Sequence, residues 1–170
     1  MRYAGIKYND IVDTESGICV SFWAQGCPNH CPGCHNPQTR DFNGGMQKSE
    51  KEIIDEIIKA INANNIKRDF SILGGEPLAP GENTLHTEHI VQSIRAAYPN
   101  IKIYLWSGYT YEQIKSRKEY HLDNILKSID VLIDGPYIET KRDITLPLRG
   151  SRNQNIYKKD ASGNFILANN

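Results

Sequence analysis

The sequence predicts an α/β fold, namely a partial, open TIM-like (β/α) barrel with mainly parallel strands. Two observations lead to this expectation. Short apolar runs with a period of two alternate with amphipathic helical patterns along the chain, and this alternation is typical of βα units around a parallel sheet. The chain has 170 residues, whereas a complete (β/α)8 barrel takes about 250, so we expect the barrel to be incomplete.

The first predicted strand covers residues 18–25, where apolar and polar side chains alternate. One face of this strand carries four apolar side chains, Ile18, Val20, Phe22 and Ala24. Cys19 falls on the other face, and we interpret it as a small packed hydrophobic residue.

Three helical patterns follow. Ser49 and Glu52 have the spacing of a capping box, and the helix after them is expected to bury Ile53, Ile54, Ile57, Ile58 and Ile61. A second helix is predicted to start near Thr87 and to end before Pro99, which cannot continue it. The third follows a capping box at Thr110 and Gln113 and presents an apolar stripe of Leu122, Ile125, Leu126 and Ile129.

Three more strands are predicted at residues 70–73, 101–106 and 131–133. The residues directly after these strands are Gly74-Gly75-Glu76-Pro77, Ser107-Gly108-Tyr109 and Asp134-Gly135. The carboxyl ends of parallel strands open on one edge of a sheet, where ligands bind. We therefore expect these residues to lie together with the cysteines that follow the first strand.

Composition excludes several classes of function. Twenty Lys and Arg residues balance twenty Asp and Glu residues, so the formal net charge is zero, and a binder of nucleic acid is not expected. No run approaches the roughly 18 apolar residues of a membrane span, and the N-terminus lacks the apolar core of a signal peptide. We therefore expect a cytoplasmic protein with free thiols. Residues 1–158 are expected to form one domain, with residues 159–170 as a polar tail.

Three of the four cysteines, Cys27, Cys31 and Cys34, lie within eight residues. Thiolates at this spacing suit zinc or an iron-sulfur cluster. Zinc takes four ligands, and His30 or His35 would complete a Cys3His structural site. A [4Fe-4S] cluster held by three cysteines instead leaves one iron open to a small molecule. A redox pair at Cys31 and Cys34 leaves Cys27 unexplained, so spacing alone leaves the zinc and cluster alternatives open.

Two motifs together resemble those of the radical S-adenosylmethionine (SAM) superfamily. They are Cys27-x-x-x-Cys31-x-x-Cys34 and Gly74-Gly75-Glu76-Pro77. Within that superfamily, three further stretches are similar to the activating enzymes of anaerobic ribonucleoside-triphosphate reductases: CPGCHNP at 31–37, DGPY at 134–137 and LRGSRNQ at 148–154. The resemblance extends from about residue 5 to about residue 157 and so covers nearly the whole chain.

The resemblance implies a set of site residues. Cys27, Cys31 and Cys34 would ligate three irons of a [4Fe-4S] cluster, and SAM would chelate the fourth. The residues implied around SAM are Gly33, Cys34 and His35 at the adenosyl group, Gly74, Gly75 and Glu76 at the amino group, and Ser107 and Asp134 at the methionine end or a cation beside it. Many superfamily members have an aromatic residue directly before the third cysteine. This chain has Gly33 there, so no side-chain contact with adenine is expected from that position.

The resemblance also implies the reaction. An electron from flavodoxin or a similar carrier would reduce the cluster, SAM would be cleaved, and the resulting radical would take hydrogen from a glycine of the large reductase subunit. The cofactors supply this chemistry, so no protein nucleophile is expected. Two alternatives are another radical SAM enzyme, such as an activator of a different glycyl-radical enzyme or a maker of deazaguanine precursors, and a zinc-binding interaction module.

A lateral opening is expected where the barrel is incomplete, wide enough to admit the glycine-bearing loop of the reductase. Residues 148–154 follow the last predicted strand and include Arg149 and Arg152. These arginines either border the opening or only solvate the surface.

Overall fold

The computed structural model describes residues 1–169, in which one mixed β-sheet packs against helices. The strands are β1 (Arg2–Asp10), β2 (Cys19–Ala24), β3 (Met46–Gln47), β4 (Asp69–Gly74), β5 (Ile103–Trp106), β6 (Val131–Asp134), β7 (Asn155–Lys159) and β8 (Phe165–Leu167). The helices are α1 (Glu50–Ile61), α2 (Glu82–Ala97), α3 (Tyr111–Ser116) and α4 (Tyr120–Ser128). Within this part of the chain, no helix combines the length and the apolar character needed to cross a membrane.

The sheet has the strand order β3-β1-β2-β4-β5-β6-β7-β8 and is open. Strands β2, β4, β5 and β6 pair in parallel, whereas the outer pairs are antiparallel. The predicted α/β class is therefore confirmed, but parallel pairing is confined to the four central strands. The outer strands need no crossover helix, because antiparallel neighbours can be joined by short loops.

The four central strands are the four that the sequence predicts. Both predicted capping boxes are present as well, at Ser49 with Glu52 and at Thr110 with Gln113. Helix α1 buries Ile53 and Ile57 as expected.

Helix α2 begins at Glu82, earlier than the predicted start near Thr87. Its first turn carries polar side chains in place of an apolar stripe, and these side chains hold the turn by donating hydrogen bonds to neighbouring carbonyl groups. Thr84 donates from Oγ1 to the carbonyl of Ala79 at 2.8 Å, and Asn83 donates to carbonyls of the adjoining loops. A search for apolar periodicity therefore finds only the later turns of this helix.

Strand β1 was not predicted, because its alternation is interrupted. Its pairing with β2 shifts register between Tyr3 and Gly5 and again between Lys7 and Asp10, and each irregularity moves the following side chains to the other face. Strands β7 and β8 were also missed. Strand β8 falls inside the predicted polar tail and pairs with β7, and residue 170 of that tail lies outside the described residues.

The two faces of the sheet have different surroundings. Side chains such as Val20, Phe22 and Ile72 point toward the helices and form the main hydrophobic core with them. On the opposite face, one row across neighbouring strands consists of Ser21, Ser71 and Tyr104. The next row, toward the carboxyl edge of the strands, consists of Trp23, Leu73 and Trp106.

Residues 11–18 cover the first of these rows. The carbonyl of Asp13 accepts a hydrogen bond from Ser71 Oγ at 2.6 Å, and the hydroxyl of Tyr104 accepts one from the N–H of Glu15 at 3.3 Å. This loop closes the amino end of the face. The row that contains the two tryptophans stays uncovered and faces a cavity.

Candidate active site

A cavity of about 530 Å³ lies at the carboxyl edge of the parallel strands. Its floor is the row of Trp23, Leu73 and Trp106. Residues at or after the ends of all four parallel strands line it, and they include Cys27, Cys31, Cys34, Gly74, Gly75, Glu76, Ser107, Gly108 and Gly135. The structure therefore brings together the loops that the sequence predicts to converge.

The cysteine loop, residues 26–40, is closed at its base by backbone hydrogen bonds. The N–H of Gly26 donates to the carbonyl of Thr39 at 2.8 Å, and the N–H of Cys27 donates to that of Arg40 at 3.1 Å. The guanidinium of Arg40 also donates to the carbonyl of Cys31 at 2.5 Å. The loop thus holds its shape through its own main chain and one arginine.

The three clustered thiols are free and partly exposed to the cavity. Burial raises the pKa of the Cys27 thiol, and the N–H of Asn29 acts in the opposite direction. Cys34 Sγ accepts a hydrogen bond from the N–H of Asn36 at 3.4 Å. Partly exposed thiols that line one cavity are of the chemical type that binds a metal centre.

Cys19 lies away from this wall and is completely buried. Burial raises the pKa of its thiol to about 12, and its Sγ lies 3.6 Å from the carbonyl of Asp13. These contacts agree with its interpretation as a packed residue.

Gly74 and Gly75 pass close to the base of the cysteine loop. Gly74 has a φ of +106°, and a Cβ there would lie 2.7 Å from the backbone N of Ala24. A Cβ on Gly75 would lie 2.5 Å from the carbonyl oxygen of Gly26 and 3.0 Å from that of Thr39. Backbone packing alone therefore requires both glycines.

Glu76 is buried, and its carboxylate joins several loops. Oε1 accepts hydrogen bonds from the N–H of Leu78 at 3.0 Å and from Ser107 Oγ at 2.8 Å. Oε2 accepts from the N–H of Gly108 at 2.6 Å and from Asn29 Nδ2 at 3.1 Å. Burial raises the pKa of Glu76, and these four donors oppose the rise. Four donors occupy the acceptor positions of this carboxylate.

Ser107 and Asp134 both make internal hydrogen bonds. The Ser107 hydroxyl donates to Glu76 while lining the cavity. Asp134 lies outside the cavity lining and is completely buried. Its Oδ2 accepts from the N–H of Tyr111 at 2.6 Å, and its Oδ1 accepts from the N–H and the side chain of Asn155, each at 3.1 Å. Burial raises the pKa of Asp134, and these donors oppose it.

Gly33 lies outside the cavity lining, whereas His35 belongs to it. A Cβ on Gly33 would lie 2.6 Å from the carboxylate of Glu139. The His35 ring packs against Tyr137 with 4.9 Å between ring centroids, and both rings line the cavity. Tyr137, from the DGPY stretch in the loop after β6, thus adds an aromatic surface beside the third cysteine, a contact that the motif itself does not indicate.

Arg149 also lines the cavity, and its position is imposed by its neighbours. Leu148 adopts a φ of +58°, which is rare for a bulky residue. Its carbonyl accepts a hydrogen bond from the indole of Trp106 at 2.8 Å, and the N–H of Gly150 donates to Gln154 Oε1 at 2.8 Å. The Nε of Arg149 is buried and has no hydrogen-bond partner among the described residues.

Arg152, the other arginine of this segment, differs from Arg149. Its side chain is 74% exposed and donates from Nε to Asp143 at 2.9 Å. Of the two arginines, only Arg149 belongs to the cavity lining.

Two further polar residues support the site and were missed from the sequence. Asn83, in the first turn of α2, donates from Nδ2 to the carbonyls of Gln25, Gly26 and Glu76 at 3.0–3.2 Å. Asn29 binds Glu76 from within the cysteine loop. Single asparagines carry no spacing signal, so the sequence offers no means of finding them.

Comparison with known proteins indicates what such a site holds. The family described as "4Fe-4S single cluster domain" matches residues 15–157. The anaerobic ribonucleoside-triphosphate reductase-activating protein of Escherichia coli (strain K12) is 36% identical over 158 residues, which cover 92% of this chain and 98% of the relative. The proteins of the same name from Vibrio cholerae serotype O1 and Enterobacteria phage T4 are 33% and 31% identical. The aligned regions cover 93% and 92% of this chain, and 98% and 94% of the two relatives' own lengths.

Proposed function

The chain belongs to the family of anaerobic ribonucleoside-triphosphate reductase-activating proteins, and from this membership we propose which of its residues bind the cofactors and how. It is an activating enzyme that uses a [4Fe-4S] cluster and SAM, and its target is the anaerobic reductase. A reduced [4Fe-4S] cluster would supply one electron for cleavage of a sulfur–carbon bond of SAM into methionine and a 5′-deoxyadenosyl radical, which would take a hydrogen atom from a glycine of the reductase and leave a glycyl radical there.

We propose that Cys27, Cys31 and Cys34 hold the cluster. The chemistry of the donors fits, because thiolates are the usual ligands of iron-sulfur clusters. All three cysteines line one cavity, which has room for a small molecule beside them, although among the described residues no three His, Cys, Asp or Glu side chains already stand together as a metal site. The hydrogen bond from Arg40 to the carbonyl of Cys31 orients the loop between the ligands.

We propose that SAM lies over the floor of the cavity, between the thiols and Arg149. Residues 74–76 reach its amino group through main-chain carbonyls, because the carboxylate of Glu76 already accepts four hydrogen bonds. The unpartnered Nε of Arg149 suits the carboxylate of the methionine portion, since a buried donor without an acceptor is unfavourable. Cys34 and His35 border the adenosyl portion, with the ring of Tyr137 packed beside them.

Ser107, Asp134 and Gly33 act in this proposal by positioning other groups. Ser107 holds the carboxylate of Glu76. Asp134 joins the N–H of Tyr111 to Asn155 and so fixes the end of β6. Gly33 gives the cysteine loop a positive φ of +67° and leaves space for the carboxylate of Glu139.

The wider arrangement is also a proposal. The four parallel strands support a partial TIM-like barrel, formed by residues 1–158 as a radical SAM domain. The electron donor is flavodoxin or a similar carrier, and the location is cytoplasmic. The electron donor follows from the resemblance of the sequence, and the location follows from the expectation that composition and hydropathy set above.

One observation carries the proposal: three free thiols share a cavity with the Gly-Gly-Glu loop in a chain related throughout to reductase activators. The test uses protein reconstituted with iron and sulfide in the absence of oxygen. We expect about four irons per chain, cleavage of SAM in the presence of dithionite, and the electron paramagnetic resonance doublet of a glycyl radical when the anaerobic reductase of the same organism is added.

The matched variants are Cys31→Ala and Cys19→Ala, which remove the same side chain inside and outside the cavity. We expect the first to lose the cluster and the second to keep it. Full iron and sulfide in the Cys31→Ala protein would contradict the ligand assignment. A parent protein that cleaves SAM but leaves no radical on the reductase would indicate a different glycyl-radical enzyme as its target.

A further inference from the structure

Of the four most exposed large hydrophobic side chains among the described residues, two line the cavity and a third directly precedes one of them in the chain. Ile11, Val12 and Ile144 are 71%, 73% and 79% exposed. Val12 and Ile144 line the cavity itself, together with Leu146. We name Ile11, Val12, Ile144 and Leu146 the apolar rim.

The apolar rim does not contribute to folding through burial. None of its four side chains belongs to either hydrophobic core cluster of the described residues. Single exposed apolar residues are ordinary on protein surfaces, whereas a group of them beside a cavity marks an interaction site. The rim is such a group, because the loops after β1 and β6, far apart in sequence, both contribute to it.

The rim is continuous with the proposed cofactor site. The same cavity that Val12 and Ile144 line has Trp23 and Trp106 on its floor and the thiols on its wall. A glycine that gives up a hydrogen atom in this cavity belongs to a polypeptide, so the residues on either side of it must leave the cavity across its edge. An apolar edge favours apolar side chains at those flanking positions.

The two acidic side chains directly next to the rim have hydrogen-bond partners within this chain. Asp143 precedes Ile144 and accepts a hydrogen bond from Arg152 at 2.9 Å. Asp13 follows Val12, and its carboxyl is hydrogen-bonded to that of Asp10. These two acidic neighbours of the rim are therefore already engaged within this chain, so neither is free to select a basic side chain of a partner.

We propose that the apolar rim binds the uncharged, apolar residues that flank the target glycine of the reductase. This inference rests on the proposed function. It adds the surface that recognises the protein substrate and the chemical character of the segment recognised.

The test compares two double variants of the reconstituted holoprotein. Val12→Ser with Ile144→Ser alters the rim, and Tyr120→Ser with Ile166→Ser is the matched control, because these side chains are 73% and 52% exposed but lie on α4 and β8, outside the cavity lining. Three quantities are measured: iron content, SAM cleavage by dithionite-reduced protein without the reductase, and affinity for the purified reductase by calorimetry.

We expect both double variants to keep the cluster and to cleave SAM in the absence of the reductase within about twofold of the parent. The rim variant should bind the reductase at least tenfold more weakly, since each buried aliphatic side chain contributes substantially to association. Its glycyl-radical yield should be low at limiting reductase and should recover when the reductase concentration is raised. The control variant should match the parent throughout.

Several results would overturn the inference. Parent-like affinity in the rim variant would show that the reductase docks elsewhere, while leaving the proposed function intact. Loss of SAM cleavage without the reductase would place the rim in the cofactor site instead. An altered oligomeric state with unchanged reductase affinity would identify the rim as a contact between copies of this chain. Failure of the parent to cleave SAM or to form the radical would remove the proposed function, and the inference with it.

Discussion

The carboxylate of Glu76 accepts a hydrogen bond of 3.1 Å from the side-chain amide of Asn29, which joins the loop after β4 to the cysteine loop. The same oxygen accepts one from the N–H of Gly108, so the loop after β5 is held at the same point. Three loops of the proposed cofactor site are thus connected through one buried carboxylate. Its role in this arrangement is to position the loops, and substitution at Glu76 tests that role.

Replacement of Glu76 by glutamine should destabilise the protein and lower its cluster content. The new NH2 group must face the N–H of Leu78 in one orientation and that of Gly108 in the other, and neither backbone donor can turn away. A buried donor left without an acceptor costs about 1–3 kcal/mol. Urea denaturation should show a loss of this size in the free energy of unfolding, with less iron retained after reconstitution.

The control is Glu82→Gln, because Glu82 is exposed in the first turn of α2 and its substitution removes the same charge. We expect the Glu82 variant to match the parent in stability and iron content. Equal stability in the two variants would mean that the carboxylate of Glu76 does not hold the loops together.

Replacement of Gly75 by alanine should displace the base of the cysteine loop. The added Cβ would lie 2.5 Å from the carbonyl oxygen of Gly26, a backbone atom that cannot yield as a flexible side chain can. Overpacking of this kind costs about 1–3 kcal/mol. We expect a lower urea midpoint and a lower iron content, whereas Gly5→Ala, which meets no atom within 4 Å, should change neither. If Gly75→Ala matches the parent in urea midpoint and iron content, the loop after β4 can move away from the cysteine loop without destabilising the protein.

The central strands could be predicted because their sequence signals are local. Residues 70–73 form a short, mostly apolar run that ends at two glycines, and β4 is buried on both faces. The cysteine spacing and the order of strands and helices are equally local, so the convergence of the four loops follows from the topology of a parallel sheet.

The internal contacts of the site could not be predicted in the same way. The hydrogen bonds of Asn29 and Asn83 join residues 47 and 57 positions apart, and no spacing rule connects them. Asp134 was assigned to the cofactor by resemblance, yet its carboxylate binds Tyr111 and Asn155. Arg149, with its unpartnered Nε, directly follows Leu148, whose positive φ the sequence does not signal.

Replacement of Arg149 by glutamine should weaken SAM binding without lowering the stability of the SAM-free protein. A hydrogen bond to a charged group contributes about 1.5–3 kcal/mol, so SAM should bind at least about tenfold more weakly. Stability should not fall, because Nε of Arg149 has no partner among the described residues to lose. Calorimetric titration of the reconstituted protein with SAM measures the affinity, and thermal denaturation without SAM measures the stability.

Two comparisons identify the contact as one between Arg149 and the carboxylate. Arg152→Gln removes an exposed arginine of the same segment and should leave SAM affinity unchanged. Decarboxylated SAM should bind the Arg149→Gln protein as well as it binds the parent. Equal weakening of both ligands would instead assign Arg149 to the adenosyl portion.

Replacement of Asp13 by asparagine should make stability less dependent on pH. Burial and the neighbouring Asp10 raise the pKa of Asp13 from 3.8 to about 7, so the folded chain holds this proton more tightly than the unfolded chain. The resulting stabilisation is complete below about pH 4 and is lost as pH rises toward 7.

Asparagine can donate to Asp10 at every pH, so the variant should exceed the parent in free energy of unfolding at pH 8 but not at pH 4. The control is Asp123→Asn, on the exposed side of α4, which should keep the pH dependence of the parent's stability. If the stability of Asp13→Asn depends on pH as the parent's does, the raised pKa of Asp13 is refuted.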